Sequence, residues 1–117
     1  MTLRIASHAE FHDALRAARA DVQTFGEREP NNPVWRAVAG MLDTMASQTA
    51  GGREPTVEER RAAQLGALVD REIDPPQTEE LADLSQRLKA INLYFIVWPD
   101  DGVDPEQMPE DEFLARL

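Results

Sequence analysis

Ile91-Asn92-Leu93-Tyr94-Phe95-Ile96-Val97-Trp98 is the stretch on which the fold turns. It is apolar almost all round and rich in β-branched and aromatic residues, which is also the composition of a buried strand. Two features outside it favour a helix. A strand needs a partner, and the only other candidate is the short segment 2–6. The spacing of Leu81, Leu84, Leu88, Ile91, Phe95 and Trp98 alternates by threes and fours straight through the stretch, with no breaker before Pro99. A helix end that is apolar on all faces must be covered on several sides, so this segment is expected at the centre of the core. Thr78 is the expected N-cap.

Working back from it, three more helices are predicted. Ser7-His8-Ala9-Glu10 has the form of a capping box, and Phe11, Leu15, Ala18, Val22 and Phe25 follow on one face of a helix ending near Gly26. Asn31-Asn32-Pro33 places Asn32 as N-cap with Pro33 in the first helical position. The stripe Val34, Trp35, Val38, Met41, Leu42 and Met45 then runs to a stop at Ala50-Gly51-Gly52. Thr56-Val57-Glu58-Glu59 is a second capping box. It opens a helix expected to run through Ala62, Leu65, Leu68, Val69 and Ile73 to the break at Asp74-Pro75-Pro76. Thr49, near the end of the second helix, is expected to be replaceable at little cost. The connections are short, so neighbouring helices are expected to be antiparallel. The fold class read from the chain is all-α, a small antiparallel four-helix bundle-like domain over residues 1–99.

Residues 100–117 change character. They hold Asp100, Asp101, Asp104, Glu106, Glu110, Asp111 and Glu112 against the single base Arg116, which puts six of the ten net negative charges in this extension. Pro99, Pro105, Pro109 and Gly102 prevent a continuous helix, while residues 109–117 can form one or two turns with their acids at the favourable end of the helix dipole. Three readings of the extension remain open at this point. It can be solvated and disordered, it can fold back through Phe113, Leu114 and Leu117, or it can be a recognition segment for a basic partner.

The chain has 117 residues, 42% of them apolar, which is one domain with one core and room for no second. It has no Cys, which removes disulfides, thiolate chemistry and cysteine-based metal sites together. The N-terminus lacks the apolar run of a secretory signal and no stretch approaches a membrane span, so a cytoplasmic location is the expectation. A net charge of −10 opposes nucleic acid and anionic lipid alike. The bases are dispersed, eleven Arg and one Lys, a bias typical of GC-rich bacterial coding.

Catalytic and metal constellations are weak. His8 and His12 lie one helical turn apart with Glu10 and Asp13 nearby, yet a third ligand on their face is missing. The acidic pairs Glu58-Glu59, Glu79-Glu80 and Asp100-Asp101 sit at helix starts or in the extension, where water keeps them ionised instead of raising a pKa for acid–base work. No nucleophile elbow, phosphate loop or calcium-loop spacing is present, so no cofactor and no metal is expected. Trp35 and Trp98 fall on apolar stripes and are expected in the core.

The function expected from these features is non-enzymatic: a protein-binding module that neutralises or regulates a basic partner, of the immunity, antitoxin or inhibitor type. The residues expected to meet the partner are Asp100, Asp101, Asp104, Glu110, Asp111, Glu112, Phe113 and Leu114. The alternative is a homo-oligomeric helical protein, a homodimer for instance, with a solubilising acidic tail. A weak metal-dependent function through His8 and His12 is third.

Overall fold

Residues 4–117 are described by a computed structural model. Residues 2 and 3 of the candidate strand partner lie outside them, and residues 4–6 carry no regular secondary structure. The protein is all-α, with no strand among the described residues.

Helix α1 spans His8–Arg28, and the Ser7 hydroxyl accepts the Glu10 N–H at 3.1 Å as its N-cap. The predicted reciprocal bond from Ser7 N–H to Glu10 is replaced by one between the two side chains, the Ser7 hydroxyl donating to the Glu10 carboxylate at 3.3 Å. Helix α2 spans Pro33–Gln48 behind the Asn32 cap, and α5 spans Glu79–Val97 behind Thr78. Phe11, Leu15, Ala18, Val22 and Phe25 of α1 are buried, as are Trp35, Val38, Leu42 and Met45 of α2. Leu84, Leu88, Ile91, Tyr94 and Phe95 of α5 are at most 1% exposed, so the ambiguous stretch is helical and forms the centre of the core. Arg19–Asp43 joins α1 to α2, while Arg28–Glu80 and Arg87–Asp21 join α1 to α5. Such surface pairs contribute less than about 1 kcal/mol each.

The aromatic end of α5 explains its termination. Trp98 is the C-cap, in the left-handed region at φ 41°, where a non-glycine residue is uncommon. Pro99 follows and disfavours continued helix. The Trp98 ring is held by stacking on His8 at 4.5 Å between centroids and by edge contacts with Phe11, Tyr94 and Phe95. Burial of the indole thus offsets the backbone strain.

The third predicted helix is divided. Helix α3 covers only Val57–Arg61, with the full capping box between Thr56 and Glu59. The chain leaves helical geometry at residues 62–64 and resumes as α4, Leu65–Leu68, which runs into a π turn at Val69–Ile73. Each half has its own anchor on α5. Arg60 of α3 donates to Ile96 O and Val97 O, and α4 lies so close that a Cβ on Gly66 would come within 2.8 Å of Asn92 Nδ2. The segment expected as one helix is therefore two short ones, and Ala62, placed on the core stripe by its spacing, is exposed. Thr49 also departs from expectation: it is fully buried, its hydroxyl donating to Met45 O at 2.8 Å.

Candidate functional site

The acidic extension is folded onto the domain, and its carboxylates separate into two groups. In the first group, Asp101 accepts the His8 backbone N–H at 2.9 Å and so caps α1 beside Ser7. Asp100 meets Arg116 at 3.2 Å. Asp104 accepts the Glu106 N–H and lies 3.7 Å from Arg4, which also reaches Glu106 at 3.9 Å. Pro105, in the single turn Pro105–Gln107, is buried. Negative charge at the α1 N-terminus suits the helix dipole, and these acids are part of the fold.

The second group is Glu110, Asp111 and Glu112, the first turn of helix α6, Glu110–Arg116. All three are exposed and make no ion pair among the described residues. Phe113 is half-buried against the domain, whereas Leu114 is 58% exposed and Leu117 40%. With Val57, at 45%, these leucines are the large hydrophobic side chains exposed among the described residues. Val57 and Leu117 line one shallow depression between α3 and α6, and Leu114 lies one turn before Leu117.

Three arginines hold α6 there. Arg60 Nη1 donates to Arg116 O at 3.1 Å in addition to the α5 carbonyls, Arg61 donates to Leu117 O at 3.1 Å, and Arg116 Nη1 donates to Trp98 O at 3.0 Å. Cationic side chains on the open carbonyls of helix C-termini satisfy the groups that the helices leave unpaired. The cluster acts as a clamp on α6, with Arg60 using one amino group for all its carbonyl bonds and its Nε buried without a partner among the described residues.

His8 and His12 are not brought together as ligands. His8 Nε2 contacts Pro99 O at 3.1 Å and its ring stacks on Trp98, while His12 stands edge-on to Phe11. No cluster of three or more His, Asp or Glu side chains suited to a metal occurs among the described residues. Tyr94 is fully buried with its hydroxyl unpaired among the described residues. Burial, together with Asp101 and Glu10 nearby, raises its pKa far above the ordinary phenol range, so it stays neutral.

A second surface was not foreseen. An apolar groove of about 480 Å3 runs between α2 and α3, lined on one wall by Ala37, Gly40, Met41, Thr44 and Met45, and on the other by Ala62 and Ala63, with Phe95 at its floor. Where α3 stops after Arg61, the small side chains of Ala62 and Ala63, flanked by Glu59 and Gln64, face α2 across it. Gly40 lies in mid-helix, where Gly costs about 1 kcal/mol relative to Ala, yet an added Cβ there meets nothing within 4 Å. The signal in the sequence is the row Ala37, Gly40, Thr44, but small residues on a helix have no single meaning. Glu59 stands at the Gln48 end, its carboxyl held below the ordinary range by Arg53 and by the Thr56 N–H. No helix of the described residues is long and apolar enough to cross a membrane.

Comparison with protein-family models, curated proteins and solved structures finds no match. The class of protein is therefore set by fold and surface alone: an all-α domain that presents an outward acidic helix beside an apolar groove.

Proposed function

We propose that this protein is a non-catalytic binding module for a basic protein partner, of the kind that immunity proteins, antitoxins and inhibitors represent. The observation that carries the reading is α6, in which Glu110, Asp111 and Glu112 are exposed and have no cation paired with them among the described residues, next to an exposed Leu114. Unneutralised like charges on an ordered helix raise the encounter rate with a cationic surface, and an adjacent apolar side chain gives the encounter an anchor. Asp100, Asp101 and Asp104 contribute to the field while serving the fold, so the contact residues are narrowed to Glu110, Asp111, Glu112 and Leu114, with Phe113 supporting α6 from beneath.

The test uses the wild-type chain and the E110Q/D111N/E112Q variant as baits in an extract of the source cell. The reading expects a basic protein that binds the wild type, is released as salt rises, and associates more slowly with the variant. Identical captures by both baits would sink it. The exposed trio Val57, Leu114 and Leu117 also favours a second reading, pairing of two copies, which sedimentation over a concentration series distinguishes because no basic protein is then required.

A further inference from the structure

We propose that the groove between α2 and α3 receives one amphipathic helix of the basic partner, lying along α2. This inference rests on the basic-partner reading. Gly40 is its first support. Gly66 has a reason within the fold, since Asn92 occupies the space of its missing side chain. Gly40 has none: its surroundings are open, its helix is weakened by it, and Ala would fit without contact. A glycine on an open helix face is what close approach of another backbone requires.

Dimensions are the second support. From Ala37 to Gln48 the groove follows α2 for about 16 Å, three helical turns at 1.5 Å per residue. Met41 and Met45 provide an adaptable wall and Phe95 a firm floor, the composition of grooves that accept side chains at helical spacing. Charge is the third. A second copy would bring another −10 to a surface already of that sign, whereas a basic helix is attracted by it. Glu59 lines one end of the groove but is already paired with Arg53 and the Thr56 N–H, so the available carboxylate there is the exposed Glu58 beside it, while Arg36 precedes Ala37 at the other end. A helix with its N-terminus toward Glu58 and its C-terminus toward Arg36 has its dipole matched at both ends. The groove and α6 also flank the same short helix: Ala63 lines both the groove and the depression beside Leu117. A partner drawn in by the α6 carboxylates is thereby delivered next to the groove.

The probe is a synthetic amphipathic peptide of leucine and lysine, about 14 residues long so that it spans the groove, titrated into the full chain labelled with 13C at its methionine methyls. Met41 and Met45 report on the groove and Met108 on the approach to α6. The expected result is saturable shifts at Met41 and Met45 with Met108 little changed. Gly40→Trp and Ala62→Trp, which fill the groove from opposite walls, should each weaken the peptide at least about tenfold while circular dichroism shows the fold retained. E110Q/D111N/E112Q should slow association yet leave the saturated shifts in place. Shifts confined to Met108, with both tryptophan variants binding as wild type, would overturn the groove and leave the acidic-surface reading standing. Binding in the groove that ignores both salt and the α6 variant would overturn the choice of a basic occupant. Concentration-dependent shifts at Met41 and Met45 without peptide, together with a dimer in sedimentation, would assign the groove to a second copy and overturn the proposal.

Discussion

Residues 100–107 and 108–117 are both acidic and both proline-punctuated, yet the fold uses them in opposite ways. The first segment pairs its carboxylates, most of them still exposed, with the α1 N-terminus, Arg4 and Arg116. The second leaves its three exposed on α6 and meets the domain through its C-terminal carbonyls, the Arg116 side chain and half-buried Phe113. Charge density alone therefore does not identify a recognition segment. What distinguishes the two is whether each acid finds a donor of its own chain, and for Asp101 and Asp104 that depends on His8 and Arg4, nearly a hundred positions or more away in sequence.

The largest test removes the floor on which both segments rest. Leu88 is fully buried in α5, and Leu88→Ala should cost about 2 to 5 kcal/mol in denaturant unfolding. A loss below about 1 kcal/mol would mean that the α5 seam is not the core. Next, Asp101→Ala removes a side-chain acceptor from the first turn of α1 and should cost about 1 kcal/mol, whereas Asp111→Asn should stay within about 0.5 kcal/mol of wild type. Equal effects at the two positions would erase the distinction between paired and unpaired acids.

The support under α6 gives a third, comparable effect. Thr56→Ala breaks the capping box of α3, whose arginines hold the α6 carbonyls, and should cost about 1 kcal/mol. Thr49→Ala should cost a similar amount, because a buried hydroxyl and methyl are lost together. A neutral Thr49→Ala would contradict the packing at the end of α2.

Smallest is a carboxylate remote from the extension. Asp74 is held below the ordinary carboxylate range by Lys89 and then by Ser85, and Lys89 is raised in turn by Asp74. The folded pKa of Asp74 lies below its unfolded value. Its contribution is therefore present at neutral pH and is lost as pH falls through and below about 4. Lys89→Ala should flatten that acid limb by less than about 1 kcal/mol, leaving Asp101→Ala unchanged in relative effect.

Most of the scaffold could be read from local signals. Ser7, Asn32 and Thr78 cap the helices they were expected to cap, because a cap is chemistry between a side chain and an amide two or three residues on. The stripes of α1, α2 and α5 are periodic over several turns, and their buried residues follow. The break at residues 62–64 was not legible. Ala62-Ala63-Gln64 contains no breaker, and the interruption goes with two separate anchorages, Arg60 on the α5 carbonyls and Gly66 on Asn92. The groove lies beside that break and was hidden for the same reason. For the extension, composition located the acids but not their donors, since His8, Arg4 and Arg116 are ordinary residues until the fold brings them near.

The bond from His8 N–H to Asp101 also has a consequence in time. Its two residues are 93 positions apart. At about 5 to 20 residues per second, the ribosome adds Asp101 roughly 5 to 20 s after His8. For that interval α1 holds its Ser7 cap but lacks its second anion, and Trp98 has not yet been made to stack on His8. Helix α1 is thus finished by a segment synthesised well after it. A nascent chain stalled before residue 98 should expose the Phe11 face of α1, and protease sensitivity of stalled chains of increasing length would show it closing only after the turn at residues 99–107 has emerged.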